Sequence, residues 1–404
     1  MKQIRFLLVF TAFVLALTLI GACRKTEKTG QIKAALSLAD ASDYYIGTMV
    51  GAAVRKAFEE AGAAVQVFDA GNDVTNQMNQ IQNAITSGNT ILYVFPAGDG
   101  TTYFDVLQTA RQAGVKTLTS NTYPGDGGAD VYVGSDEFQM GVMMSALLSE
   151  WVDKTYPAAG QDEVTVLIVE ATINESAIKR CLGMRLAGEK FLRKCDTAAV
   201  YYIKKEGPAV AYLDSNGTEI PVNEPSGGLL LDKNGRAILN PYYNPKIKLI
   251  EYSNRNSAGF DSTEAQKAVE NALTMGYNNL AAVISYGDTG AAVETKVREL
   301  RDEGRIATDL NKLAVFCSDL TNTNRDLILR SYTDASILRG VMGAGDLIGT
   351  LQNYAKKMVA GEHLPAYTME PISYMTVAED GNSIRTVYYT DCPQLPATEK
   401  FFAR

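Results

Sequence analysis

Histidine is almost missing. Among 404 residues there is one, His363, in Gly361-Glu362-His363-Leu364-Pro365. A single imidazole excludes most histidine-based metal sites and gives weak support to a Ser-His catalytic pair, and its place just past a helix end reads as surface. There is no Gly-x-Ser-x-Gly elbow and no phosphate-binding glycine loop. Gly343-Ala344-Gly345 looks like the start of a dinucleotide loop, but the third glycine falls at Gly349, one place late, with no acid about twenty residues on. Close helix packing accounts for these glycines. Acidic pairs such as Glu59-Glu60 lie on a solvated helix face and propose no glycosidase. These absences predict a protein that is not an enzyme and needs no cofactor or metal.

Basic residues are also short. Lys and Arg total 38 against 46 Asp and Glu, a formal charge of −8. Losing Lys2 and Arg5 with an N-terminal leader would take this to −10. An acidic surface argues against nucleic acid and against charge-driven binding to anionic membranes. Beyond the leader no apolar run is long enough to cross a bilayer, and nothing is low in complexity. Cysteines number five. Cys181, Cys195, Cys317 and Cys392 show no disulfide framework. If residues 176–192 are helical, Cys181 and Cys195 stand roughly 21 Å apart, far over the ~7 Å limit for a bridge. Free, mostly buried thiols are expected.

What is present begins with Lys2 and Arg5 and an uncharged run, Phe6 to Ile20. As a helix it reaches roughly 22 Å, short of the ~30 Å bilayer core, which favours a secretory segment over a permanent span. The run ends in Leu19-Ile20-Gly21-Ala22-Cys23, which resembles the lipobox of bacterial lipoproteins. That resemblance implies cleavage before Cys23, acylation of Cys23 and a tether over 23–30, hence a cell-envelope location, in the periplasm or on the outer face of the cytoplasmic membrane. Multiple acyl chains give stable anchoring at ~0.8 kcal/mol per buried methylene.

The remaining ~380 residues suffice for two domains. Strand patterns at Ile32 to Leu38, Val65 to Asp69, Thr90 to Phe95, Val115 to Thr119 and Val131 to Val133 alternate with helical patterns at Gly47 to Ala61, Asn76 to Ser87 and Tyr103 to Ala113. A second series follows: strands at Val164 to Val169, Ala198 to Ile203, Ala281 to Ser285 and Leu313 to Phe316, and helices at Ser176 to Leu192, Ser262 to Met275 and Thr289 to Asp302. Strands separated by helices of this length require parallel sheets with right-handed crossovers, so two α/β lobes are expected. Residues 205–246 break the rhythm with five prolines and two similar phrases ending Asn216-Gly217 and Asn234-Gly235. Asn-Gly is a type I′ hairpin signal, which reads as a β-hairpin insertion in lobe two. A calcium loop is the alternative, though its glycine should stand sixth and here stands fourth.

Several phrases, taken in order, resemble the sugar-binding type I periplasmic binding proteins, the ribose- and galactose-binding-protein-like family. They are Ile32-Lys33-Ala34-Ala35-Leu36-Ser37-Leu38, Asp43-Tyr44-Tyr45, Val67-Phe68-Asp69-Ala70-Gly71-Asn72-Asp73 and Tyr132-Val133-Gly134-Ser135-Asp136. Later come Arg180-Cys181-Leu182-Gly183, Ala258-Gly259-Phe260-Asp261, Tyr286-Gly287-Asp288 and Cys317-Ser318-Asp319. The resemblance implies two doubly wound parallel-sheet lobes joined by three hinge strands, with crossings near Ser135, Arg339 and Pro371. Lobe one would be 31–135 plus 340–370, and lobe two 136–339 plus 371–404.

Ligands of open parallel sheets sit beyond the carboxyl ends of the strands. That rule selects Ser42, Asp43, Tyr44 and Tyr45 after the first strand. Carboxylates and amides bind sugar hydroxyls and aromatic faces pack on pyranose rings, though one of the two tyrosines is expected to be a core residue. The resemblance adds Asn121 and Asp319 as hydroxyl-binding residues and Phe260 as an aromatic closing over the sugar. Asp288 and Arg339 are either ligand contacts or hinge and cap residues. For Arg180 a ligand contact and a structural ion pair both stay open. Ile178, Gly287, Phe95 and Arg339 depart from the polar residues usual in the family, which leaves a deoxysugar, a glycoside, a nucleoside or a more apolar solute open beside the common sugars. The implied function is substrate delivery to the permease of an ABC importer by a monomeric clamp. A sensory protein of the same fold, presenting its bound state to a receptor kinase or chemoreceptor, is the alternative.

Overall fold

The computed structural model describes residues 31–157, 163–171, 175–191, 234–240, 242–251, 261–277, 279–306, 309–319, 321–331, 336–378 and 383–388, with short pieces between 203 and 232 and Asp380. Cys23 and the tether, Cys195, Phe260, Cys392 and half of the 205–246 insertion lie outside the described residues.

The first lobe opens with β1 (Lys33–Leu38), a π-helix (Tyr44–Gly51), α1 (Ala52–Glu60), β2 (Ala64–Asp69), α2 (Val74–Thr86), β3 (Ile91–Phe95), α3 (Phe104–Gln112), β4 (Lys116–Ser120) and β5 (Val131–Ser135). The chain then enters the second lobe with α4 (Glu137–Thr155), β6 (Val164–Val169) and α5 (Glu175–Arg185). Short strands β7 (Ile203–Lys204), β8 (Val210–Leu213) and β9 (Glu219–Ile220) follow, then β10 (Ile247–Glu251), α6 (Ser262–Thr274), β11 (Leu280–Ser285), α7 (Gly290–Asp302), β12 (Ala314–Ser318) and α8 (Asn322–Ser331). The last elements are β13 (Leu338–Ala344), α9 (Leu347–Ala360), β14 (Tyr367–Glu370), β15 (Ile372–Val377) and β16 (Ile384–Tyr388).

One six-stranded sheet has the order β14-β5-β4-β3-β1-β2 and a seven-stranded sheet the order β10-β6-β11-β12-β13-β15-β16. The first is parallel throughout. The second is parallel from β10 to β13, but β15 and β16 pair antiparallel, which the strand-helix rhythm does not predict. The returning chain joins β14 to β15 through Pro371 alone, with no helix to reverse it, so β15 must run against β13. Helices cover both faces of each sheet, and the central strands are accordingly apolar without alternation, as in the six buried residues of β6.

The chain passes between sheets after Ser135 and again at Pro371. Where the sequence places a crossing at Arg339, β13 instead runs on inside the second sheet to Ala344, and the change comes at Gly345 and Asp346. Ala344 sits at this junction and packs against core clusters of both lobes.

The element α4 carries no periodic signal because it is buried on most of its faces, from Met140 to Leu148. The helix expected from Ser176 to Leu192 stops at Arg185 and closes with a 3-10 turn, Leu186–Gly188. Asn240 draws the freed carbonyls away, its Nδ2 donating to Leu186 at 2.6 Å and to Glu189 at 2.7 Å. In the insertion, Tyr212 pairs antiparallel with Ile220. At the second phrase Gly235 donates to the Asp232 carbonyl, and only Gly235 of the Asn234-Gly235 pair has positive φ, so this turn is not type I′. Among the described residues no helix is long and apolar enough to cross a membrane.

Candidate functional site

The carboxyl ends of both parallel sheets carry the residues that face across the junction. After β1, the Asp40 carboxylate organises the loop: its Oδ1 accepts from the Ser42 amide at 2.8 Å and the Ser42 hydroxyl at 2.6 Å, and its Oδ2 accepts from Asn72 at 2.8 Å. The hydrogen bond from Ser42 holds Asp40 below the usual carboxylate range. Ser42 is thus committed inside the loop. Asp43 caps the π-helix by accepting from the Ile46 amide at 2.7 Å, and π-turns concentrate at functional positions. Gly47 permits this start, since a Cβ there would lie 2.0 Å from the Ala41 carbonyl oxygen. Tyr44 points outward, 48% exposed. Tyr45 turns inward, half-buried, with its ring edge-on to Phe95 at 6.4 Å between centroids.

In the second lobe α4 and α5 cross with almost no side chain between them. A Cβ on Gly141 would meet the Arg180 carbonyl and one on Gly183 the Phe138 carbonyl. One turn before each glycine stand Glu137 and Arg180, which the crossing brings together. Arg180 is 6% exposed. Its Nε donates to Glu137 Oε2 at 2.8 Å, and its Nη1 donates to the Tyr286 carbonyl at 2.7 Å and to Ser318 Oγ at 2.6 Å. The guanidinium lies 4.3 Å from the Tyr286 ring centroid and 3.8 Å from Asp319 Oδ2. Burial would lower its pKa, but Glu137, Tyr286 and Asp319 outweigh burial and raise it. Arg180 is therefore the structural centre of an ion-pair network, with little donor capacity left for a ligand. The network reaches the first crossing, because Ser135 Oγ donates to Glu137 Oε1 at 2.7 Å.

Asp288 follows β11 and Asp319 follows β12. Both carboxyls are pushed above the usual range, first by burial. Asp319 and Asp43 raise Asp288 further; at Asp319 the Arg180 charge and then the hydrogen bond from Ser318 oppose burial, and Glu137 and Asp43 add smaller upward pushes. That Asp43 acts on both, from the opposite sheet, puts the three carboxylates around one cleft. Tyr45 belongs to the same space: its phenol is raised by burial, then by Asp319 and Glu137. Among the described residues no group of His, Cys, Asp and Glu is arranged to hold a metal ion. Among the described residues the cleft is rich in acceptors and poor in free cations. It suits a solute that donates hydrogen bonds, and it repels an anion.

Asn121 and Asp319 both adopt left-handed backbone, φ 71° and 63°. Asn and Asp are the side chains that tolerate this conformation, and each ends a central strand. The Asn121 carbonyl accepts from the Tyr132 hydroxyl and from Ser176 Oγ of the second lobe, each at 3.2 Å. The structure thus groups Asp43, Tyr45, Asn121, Arg180, Asp288 and Asp319, and leaves Ser42 and Tyr44 at the rim. Phe260 lies outside the described residues.

Arg339 is not brought to the cleft. It is the second residue of a seven-residue strand, and it lies 5.1 Å from the Trp151 ring, whose indole donates to Ala281 at the opposite end of the sheet. The strand runs on past it to Ala344, so Arg339 falls short of the end. Sequence reasoning missed Glu137, Ser176 and Ser318. A buried Arg180 requires a carboxylate partner, and that requirement is the signal that would have pointed to Glu137.

Residues 34–216 match the family described as a periplasmic binding protein domain. The chain is 35% identical over 91 residues to the multiple sugar-binding periplasmic receptor ChvE of Rhizobium radiobacter, 22% of this chain and 25% of that one. It is 32% identical over 99 residues to the D-xylose-binding periplasmic protein of Escherichia coli K12, 24% of this chain and 29% of that one. These matches span about a quarter of the length of the curated relatives. A solute-binding protein of an ABC transporter from Burkholderia graminis, solved with D-arabinose, superposes with TM-score 0.60 at 16% identity over 88% of this chain and 98% of that one. A Mycobacterium smegmatis protein solved with β-D-fucofuranose gives 0.57 at 16% identity, over 89% and 92%. Residues 34–216 are similar to a periplasmic binding protein domain, and the chain has the type I periplasmic binding protein fold.

Proposed function

We propose that this protein is the extracytoplasmic substrate-binding lipoprotein of an ABC importer, and that it takes up a small neutral polar solute of the monosaccharide class by closing its two lobes. The observation that carries this reading is the cleft itself, where Asp43 and Tyr45 of one sheet face Asp288 and Asp319 of the other with Arg180 already committed to Glu137. Carboxylates accept from the hydroxyls of a sugar, Tyr45 supplies an aromatic face, and the negative surroundings disfavour sugar acids and sugar phosphates. Solved proteins of the same fold hold D-arabinose and β-D-fucofuranose, which supports the same class of ligand here.

The mechanism is capture without chemistry. The open clamp samples solute, and closure is a population shift toward the state in which both lobes touch it. Acylated Cys23 holds the protein at the membrane, and the closed outer faces dock as a monomer on an ATPase-driven permease. Mass spectrometry of small molecules released from the undialysed chain starting at residue 24 tests the reading. Release of a neutral sugar, or a thermal shift with one where the protein is purified empty, supports it. A protein that neither carries nor is stabilised by any small solute contradicts it.

A further inference from the structure

Asp288 and Asp319 repel each other across the second-lobe side of the cleft, yet they sit on separate loops with no direct bond between them. The Ser318 amide donates to the Gly287 carbonyl at 3.2 Å and joins the bases of those loops; beyond that bond the side chain of Asn324, in the first turn of α8 and fully buried, ties them a second time. Its Nδ2 donates to the main-chain carbonyl of Asp288 at 3.2 Å and to that of Asp319 at 3.1 Å. Its own amide is fixed by Thr321 Oγ1 at 3.1 Å, and the Thr321 amide returns to the Asp319 carbonyl at 2.9 Å. Asp319 is held on its other side as well, its amide donating to the Met342 carbonyl at 2.9 Å in β13. Asp319 therefore keeps its left-handed backbone within a frame of main-chain bonds, to which the Asp288 loop is joined through Gly287 and the Asp288 carbonyl itself through Asn324. Asn324 Oδ1 is buried without a hydrogen-bond partner, an arrangement that disfavours the amide on that side. The two donor bonds are what an amide supplies here that a leucine of similar volume would not.

We propose that Asn324 spaces the Asp288 and Asp319 carboxylates and is a positioning residue for solute binding. It touches no solute itself. By fixing two carbonyls on one amide it sets the separation of the two side chains above them, and so the spacing of hydroxyl pairs that the second lobe accepts. The binding role rests on the solute-binding reading, whereas the spacing does not.

A titration without ligand separates the two. Aspartate labelled with 13C at Cγ reports each carboxyl by NMR in the wild-type chain, Asn324→Ala and Asn324→Ser. Asp288 faces Asp319 and Asp43. Asp319 faces Arg180, Glu137, Asp43 and Asp288, with Tyr45, Tyr286 and Cys317 within its field. In Asn324→Ala the Asp288 and Asp319 loops loosen beyond the Ser318–Gly287 bond, mutual repulsion falls, and both midpoints drop toward 3.8, while Asp136, raised by burial elsewhere, stays in place. Unchanged Asp288 and Asp319 midpoints in a folded variant, or a drop shared equally by Asp136, would overturn the proposal. Should neither variant fold, through-hydrogen-bond couplings from the Asn324 amide to the Asp288 and Asp319 carbonyl carbons in the wild-type chain decide it: both present supports it, and either one missing overturns it. Wild-type protein that holds no sugar would defeat the proposed function and leave this titration readable.

Discussion

The hydroxyl of Ser176, at the start of α5 in the second lobe, donates to the main-chain carbonyl of Asn121, after β4 in the first, at 3.2 Å. This bond crosses the cleft through backbone on one side, so it adds to closure whatever solute is held. A neutral hydrogen bond of this kind contributes about 0.5–1.5 kcal/mol. Ser176→Ala should leave each lobe's fold intact and shift the empty protein toward the open state, weakening apparent affinity by roughly two- to tenfold. Small-angle scattering of the empty variant should give a larger radius of gyration than wild type, and an equal radius would contradict the assignment.

Removing the carboxylate from Glu137 strands a buried guanidinium. Glu137→Ala should cost about 3–5 kcal/mol in urea unfolding, because Arg180 then lacks its main counter-charge. Replacing both with apolar residues, Glu137→Leu with Arg180→Met, should recover most of that loss. A double variant as unstable as the single one would show that the network is held by something other than this pair.

The raised carboxyl of Asp288 gives a pH dependence of definite sign. Its folded midpoint lies above the unfolded value near 3.8, so the folded chain holds the proton more tightly. Stability therefore falls as pH rises through that interval, and the penalty is absent below it. Asp288→Asn should raise the melting temperature at pH 7 more than at pH 3.5. An equal change at both would remove the basis for a strained carboxylate in the empty cleft.

Burial pushes the Cys181 thiol up to about 12 and raises Cys317 as well. Both are free and buried. In a chain that starts at residue 24 and carries Cys195→Ser and Cys392→Ser, neither should react with a thiol reagent at pH 8 until the protein is unfolded. Rapid modification of the native chain would contradict their placement in the second-lobe core.

How far the sequence reveals this molecule depends on what kind of interaction fixes each part. The alternation of Val164 to Val169 with flanking helices is a local pattern, and β6 appears over those same residues. The cap at Asp43 is likewise short-range and strand-end reasoning reaches that residue, whereas Asn121 and Asp319, with their left-handed backbone, are reached through the family resemblance. Helix α4 is illegible because burial on most faces erases the amphipathic stripe, and with it goes Glu137. Arg339 is misplaced because strand length is set by pairing with β15, a contact far along the chain. Ser176 and Asn324 act only through carbonyls brought near them by tertiary packing, which no spacing along the chain announces.

The central claim is a clamp that binds a neutral sugar between Tyr45 and Asp319. Titration calorimetry of neutral pentoses and hexoses, D-arabinose first, into wild type, Tyr45→Ala and Asp319→Ala tests it most directly. The account predicts saturable heat in the wild type and a loss of about tenfold or more in affinity in each variant. No heat from any neutral sugar, or tight binding that neither substitution disturbs, would contradict it.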